Sequence, residues 1–298
     1  MKKNKKKALK RLAKARNTGF SLELELAHRN PKTDHVLGAT SKKCLAEIPS
    51  GERINYLPMG ELQFGREDFM DCVERSKNNL LETKLNFLIV NKLISEELIK
   101  WLKDNGYLTT RGVELADRFG AIKSGTTRSG NSLIAPLQAA HKFGVIPKSM
   151  LPASSDMDWD AYHNPAAITK EMEDLGLAFL ERFNINYEKV YAPQMAEFMK
   201  RDMMHTAGYA WPLPQGGIYP RVEYPFNHSF MGYEPLYFAF DNYLDEGKQG
   251  DWIKQLAGNY KLIDPSYRLI ITLNTDAVKK KLTWGELIRR FFFGRNLL

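Results

Sequence analysis

The order in which two periodicities occur along the chain limits the fold more than any other feature. After Val73, apolar residues recur at helical spacing at Leu80, Leu81, Leu85, Leu88 and Ile89. Ile94, Leu98, Ile99 and Trp101 continue the pattern until Asn105-Gly106 stops it, which predicts one long helix over 73–93 and then a shorter one. A third helix starts near Ser132, whose hydroxyl can cap it, and runs through Leu137, Ala139 and Ala140 to Gly144, with Pro147 and Pro152 beyond. Residues 165–200 read as further amphipathic helix and residues 17–60 as irregular. Past Met203 the texture changes to short β-rich runs at 217–219, 228–233, 235–240 and 267–273, separated by Pro and Gly. Helices followed by strands predict an α+β fold. Its expected parts are an irregular basic extension over 1–50, a helical lobe over 51–170 and a β-rich, barrel-like lobe over 171–275. A site is expected in the cleft between the lobes.

A chain of 298 residues that is 43% hydrophobic and 11% aromatic can bury a sizeable core, which excludes the disordered class. No stretch approaches the roughly 18 uninterrupted apolar residues of a membrane span, and the start lacks the apolar core of a secretory signal. Cys44 and Cys72 are the two cysteines, too few for a disulfide framework, so a cytoplasmic or virion-associated setting is expected rather than secretion. The net charge of +8 is concentrated at the start, where Lys2, Lys3, Lys5, Lys6, Lys7, Lys10, Arg11, Lys14 and Arg16 face no acid. Such an arm reads either as a contact for a polyanion such as nucleic acid or as a solvated, disordered tail. Residues 276–298 read as a basic amphipathic helix, with Lys279, Lys280, Lys281, Arg289 and Arg290 interleaved with Leu282, Trp284, Leu287, Ile288 and Phe291.

Cys72 opens the long helix. A cysteine there gains thiolate character from the positive end of the helix dipole and from a neighbouring imidazolium, the state a nucleophile needs. The alternative for Cys72 is a small buried apolar side chain. Cys44, in Ser41-Lys42-Lys43-Cys44, has no comparable setting.

The stretch from Cys72 to Glu82 resembles the nucleophile helix of the papain family of cysteine peptidases, in which Ser stands four residues after the cysteine and an acid ten after it, as Ser76 and Glu82 do here. A second block, Leu137-Gln138-Ala139-Ala140-His141-Lys142-Phe143-Gly144-Val145 followed by Met150-Leu151-Pro152, is similar to the next conserved stretch of that family, and Leu115-Ala116-Asp117-Arg118 precedes it in the right place. A third comprises Gly216-Gly217-Ile218-Tyr219, then His228-Ser229-Phe230-Met231-Gly232-Tyr233, then Phe240-Asp241-Asn242-Tyr243. The three blocks stand in family order over about residues 55–275. His228 lies 156 residues after Cys72 and Asp241 follows 13 later, close to the roughly 130–150 downstream placement of His and Asn in the family.

The resemblance implies a papain-like two-lobe fold and hydrolysis of peptide bonds, with Cys72 as nucleophile, His228 as general base and Asp241 orienting the imidazole. Asn242 is the alternative orienter, because the family has Asn at this position. Gln63, with the backbone N–H of Cys72, is the implied oxyanion donor, although nine residues rather than six separate Gln63 from the cysteine. The family's substrate-binding glycine pair corresponds to Gly130 and Asn131. Departures occur at Val73, where an aromatic is usual, and at Asp71, whose charge opposes thiolate formation unless a base such as Arg66 neutralises it.

Other patterns lead elsewhere and stop short. Gly130-Asn131-Ser132 lacks the second glycine of a serine nucleophile elbow. Asp156, Asp158 and Asp160 imitate a calcium loop without its glycine or terminal glutamate, and residues 126–130 lack the ending of a phosphate-binding loop. His28, His35, His141, His163 and His205 show no metal-ligand spacing, so no metal or other cofactor is expected. The expected partners are a protein or peptide substrate, a polyanion on the basic arm and a larger protein assembly. The rival reading is a papain-like structural or interaction protein, weak or inactive as a catalyst, within an assembly such as a virion. Deletion of residues 1–16 is expected to weaken nucleic-acid binding and flatten its salt dependence; unchanged affinity and salt slope in a titration at several salt concentrations would remove the nucleic-acid role.

Overall fold

The structure is a computed structural model and describes residues 19–29, 44–63, 65–209, 211–212, 214–223, 225–235, 238–242 and 252–274. The basic arm, residues 276–298 and His35 lie outside the described residues. In chain order the elements are α1 (Leu22–His28), α2 (Cys72–Val90), α3 (Glu96–Asp104), the ribbon β1 (Leu108–Thr109) and β2 (Gly112–Val113), α4 (Asp117–Lys123), α5 (Ile134–Phe143), α6 (Trp159–Tyr162) and α7 (Lys170–Leu180). Then follow β3 (Phe183–Val190), α8 (Ala192–Arg201), β4 (Met204–Gly208), β5 (Ile218–Tyr219), β6 (His228–Glu234), β7 (Phe238–Phe240), β8 (Ile253–Leu256) and β9 (Ser266–Leu273). The fold is α+β, as expected from the order of the periodicities.

Local chemistry sets several helix starts. Ser95 Oγ accepts from Leu98 N at 3.3 Å, Thr169 Oγ1 from Met172 N at 3.3 Å, and Ser132 Oγ from Ala135 N at 3.2 Å at the mouth of α5. Two stretches differ from the sequence-based expectation. Within 165–200, α7 and α8 are helical, but Phe183–Val190 is a strand that pairs antiparallel with β9 along its whole length. Phe183, Ile185 and Val190 are buried, so the long ladder and its core face override the helical pattern of the flanking residues. Within 17–60, Ser21 caps α1, and Leu45 N donates to Ile271 O at 3.1 Å, tying the segment to β9.

The main sheet has the order β3-β9-β4-β6-β7-β8-β5, antiparallel throughout except for β5 on β8. It is open from β3 to β5 and does not close into the barrel-like form expected from the sequence. Helices α5, α7 and α8 pack on β3, so its edge is covered by helix instead of by another strand.

Helix α2 lies on the sheet against β4, β6 and β9. Every residue from Cys72 to Asn86 is buried, although the segment includes Glu74, Arg75, Lys77, Glu82 and Lys84. Each polar side chain therefore requires a partner, and the partners come from many parts of the chain. Arg75 bridges Asp71 at 2.9 Å and Asp117 at 3.0 Å. Lys77 pairs with Glu74 at 2.6 Å, and Glu82 accepts from Leu115 N at 2.7 Å. Asn86 accepts from Val113 N at 2.8 Å, while Lys84 donates to Ala46 O and to Asp202 at 2.6 Å.

Lys84 and Asp202 are both fully buried, so removing one partner strands a charge. Asp202→Ala is expected to lower the unfolding free energy by about 3–5 kcal/mol in urea titrations, whereas Lys84→Met combined with Asp202→Leu restores most of that loss. A single-variant loss below about 1 kcal/mol, the range of an exposed pair, would contradict a buried ion pair whose removal strands a charge.

Candidate active site

The first residue of α2 is Cys72, so its sulfur sits at the positive end of a 19-residue helix. The first residue of β6 is His228, and β6 is held between β4, where Gly208 pairs with His228, and β7, where Phe240 pairs with Met231. Asp241 directly follows β7, and its N–H donates to Trp252 O at 2.9 Å, which fixes the residue at the strand's end. The sheet thus delivers the histidine and the acid from adjacent strands, and α2 delivers the cysteine from the facing layer.

The groups meet. His228 Nε2 donates to Asp241 Oδ1 at 2.7 Å, and the imidazole also hydrogen-bonds Cys72. Ser229 N donates to Cys72 Sγ at 3.3 Å. Asp241 Oδ2 accepts from Trp211 Nε1 at 2.6 Å, and the Trp211 ring stands edge-on to His228, with centroids 5.9 Å apart at 75°. Asn242 is committed elsewhere: its Oδ1 accepts from Asn79 Nδ2 and its Nδ2 donates to Glu61 O at 2.8 Å. The histidine's partner is therefore Asp241. Trp211 was not singled out from sequence; it belongs to no recognisable motif there, and an aromatic in a Pro-rich stretch carries no signal of its own.

Electrostatics divide the site. Burial works against a charged His228, but the Asp241 carboxylate, with help from Cys72, outweighs it and holds the imidazole well above the ordinary histidine value. His205, equally buried, lacks a carboxylate and is pushed down to about 3; it bonds Ser76 Oγ at 2.8 Å and Leu133 O at 3.1 Å as a neutral core residue. Burial also pushes the Cys72 thiol up, and His228 and Ser229 N–H counter this only in part. The Asp68 carboxylate adds to the upward push. Asp71 is neutralised by Arg75 and by the Tyr162 hydroxyl, and not by Arg66 as expected, because Arg75 lies one helical turn along α2.

Gln63 is buried and its Nε2 donates to Asp68 Oδ1 at 2.7 Å, while its backbone N donates to Asn242 O at 3.2 Å. It thus sits beside the acid that faces the thiol. Gly130 has φ +88° and Asn131 donates from Nδ2 to Ser124 and Thr126; the backbone of both residues meets the chain at residues 19–21. Ser132 Oγ bonds His28 Nδ1 at 2.8 Å, away from His228. Among the described residues no cluster of His, Cys, Asp and Glu could hold a metal ion, and no helix is long and apolar enough to cross a membrane.

No protein-family model matches the sequence, and no curated protein matches it. Solved structures that resemble the fold include xylellain, a cysteine protease from Xylella fastidiosa, at 13% identity and TM-score 0.44, over 80% of this chain and 95% of that one. The Amb a 11 cysteine protease, a ragweed pollen allergen, in its proform, gives 12% identity and TM-score 0.49 over 85% of this chain and 75% of that one. The Carica candamarcensis cysteine protease CMS1MS2 in complex with E-64 gives 10% and 0.44 over 76% and 98%.

Replacing Asp241 by Asn removes the charge that holds the imidazolium. Burial is then unopposed, and the His228 titration followed by NMR is expected to move below the ordinary histidine value. In the native protein the raised value makes the ion pair stabilising below the unfolded-state value of about 6.5, and that contribution fades as the pH rises through the folded-state value. The Tm gap between the native protein and Asp241→Asn should therefore be widest near pH 6 and narrow at alkaline pH; a gap that widens with pH contradicts the charge assignment.

Proposed function

We propose that the protein is a papain-like cysteine peptidase that hydrolyses peptide bonds through Cys72, His228 and Asp241. The observation that carries the reading is the hydrogen-bonded line from the Cys72 sulfur through the His228 ring to Asp241 Oδ1, 2.7 Å from Nε2. A thiol at a helix N-terminus, a base in contact with it and an acid orienting that base form the arrangement nucleophilic acyl transfer requires.

In this reading Cys72 loses its thiol proton to solvent, the thiolate is held beside the His228 imidazolium, and the sulfur attacks the scissile carbonyl. The tetrahedral oxyanion is met by the backbone N–H of Cys72, with Gln63 as second donor once its amide leaves Asp68. Collapse breaks the C–N bond as His228 gives its proton to the leaving amine, which leaves a thioester. Water then attacks that ester while His228 takes its proton, and the thiol is regenerated with release of the acid. Asp241 holds the ring with its Nε2–H directed away from sulfur and balances the imidazolium, and Gly130 and Asn131 offer backbone groups to an extended substrate.

A second reading, a papain-like structural or interaction protein, is favoured by one specific feature: burial raises the Cys72 thiol and leaves the sulfur almost wholly covered. The ratio of labelling rates decides between the two. A cysteine-directed peptide epoxide, located by peptide mass spectrometry, is expected to modify Cys72 in preference to Cys44. His228→Ala should slow the Cys72 reaction by about 100-fold or more, in the range of general-base contributions. Equal modification of both cysteines, indifferent to His228, would leave only the structural reading.

A further inference from the structure

Nine residues separate Gln63 from Cys72 where the resemblance implies six, and the added length has a definite shape. Gly65 N donates to Glu67 O at 3.1 Å and Phe69 N donates to Gln63 O at 3.3 Å, so the chain doubles back on itself. The return is pinned from outside: the Phe69 ring stacks on Tyr162 with centroids 3.9 Å apart, and Phe69 O accepts from His163 Nε2 at 2.7 Å. Doubling back sets Asp68 against Gln63. A single oxygen, Asp68 Oδ1, accepts from Gln63 Nε2 at 2.7 Å and from Met70 N at 2.8 Å. One carboxylate therefore joins the side chain implied as oxyanion donor to the backbone two residues ahead of the nucleophile. Met70 has φ +56°, in the left-handed region that residues other than glycine rarely adopt. The bond from its N–H to Asp68 holds that turn, and with it the entry of the chain into α2.

The same carboxylate acts on the sulfur. Cys72 is faced from β6 by the His228 imidazole, backed by Asp241, and by Ser229 N–H, all of which favour its ionised form. Asp68 joins burial on the opposing side. Asp71, next to the cysteine, is tied to Arg75 and to the Tyr162 hydroxyl. Asp68 thus competes with the chemistry twice, for the amide that an oxyanion would take and against the negative charge that the sulfur must carry.

We propose that Asp68 is a positioning residue that restrains the site: its carboxylate holds the Gln63 amide and the Met70 N–H together, sets a negative charge against the sulfur, and yields the amide only to an oxyanion formed at Cys72. The last of these rests on the peptidase reading, whereas the charge set against the sulfur does not.

The test follows alkylation of Cys72 by iodoacetamide against pH, located by peptide mass spectrometry, in the full chain and in Asp68→Asn, which keeps an oxygen acceptor and removes the charge. The midpoint of the Cys72 profile is expected to fall by about half a pH unit or more in Asp68→Asn, and not to fall in Gln63→Ala. An unchanged midpoint in Asp68→Asn would overturn the proposal, because a purely structural role leaves the titration where it is. If Asp68→Asn loosens the turn, seen as faster alkylation of the buried Cys44, the comparison is made in a Met70→Gly background, where the left-handed conformation needs no support. The shift should persist there, and its loss would equally overturn the proposal. Turnover of a peptide anilide reads the hold on the amide. Gln63→Ala is expected to cost about threefold more in kcat/KM in the Asp68→Asn chain than in the native one, because the amide is no longer contested. Equal costs would overturn the link between Asp68 and Gln63. A lowered midpoint in a chain that cleaves no peptide retains the action of Asp68 on the sulfur and removes the peptidase reading.

Discussion

The polar contacts of α2 are the constraint on which the rest of the structure depends. A helix buried on every side would ordinarily be apolar throughout, yet the segment from Cys72 to Asn86 carries five charged side chains inside the protein. Glu74 and Lys77 pair with each other, and the other three are matched from outside the helix: Asp117 and Asp71 for Arg75, Leu115 N for Glu82, Ala46 O and Asp202 for Lys84. Because an unmatched buried charge is so unfavourable, these partners fix where the neighbouring loops and strands can run. The helix therefore acts as a register for the fold, and it also fixes where its own first residue, Cys72, meets the sheet.

That position sets two opposing influences on one sulfur atom. The helix N-terminus, the His228 imidazolium and the Ser229 N–H favour the thiolate, and burial together with Asp68 disfavours it. Burial prevails.

How much of this was legible in the sequence depended on how far each feature reaches along the chain. The start of α2 at Cys72 was visible because helical periodicity accumulates over many residues. His228 and Asp241 were legible through motif order and spacing, and the geometry brings the two side chains together. Strand β3 carries its own signal, since Phe183, Ile185 and Tyr187 alternate with Asn184, Asn186 and Glu188 at the period of a strand, but the run is short and lies between two helical stretches that dominate the pattern of 165–200. The open sheet was hidden, because closure depends on what covers the β3 edge, and α5, α7 and α8 do so. Gly19-Phe20-Ser21 is too short to carry a period, and its backbone partners at Asn131 and Asn227 lie far along the chain.

The presence of an acid at residue 241 has a physical reason in the same surroundings. Two donors converge on residue 241: His228 Nε2–H on one oxygen and Trp211 Nε1–H, at 2.6 Å, on the other. A carboxylate accepts on both sides, whereas an amide offers one acceptor and one donor, so an Asn here would aim an N–H at either the imidazole or the indole. In a buried setting such a donor-to-donor contact leaves two groups unsatisfied, which is the unfavourable case for hydrogen bonds. Asp241 and Trp211 are therefore one unit. The acid requires the indole to satisfy its second oxygen, the indole requires the acid as its buried acceptor, and together they present to His228 a full negative charge from a single fixed direction.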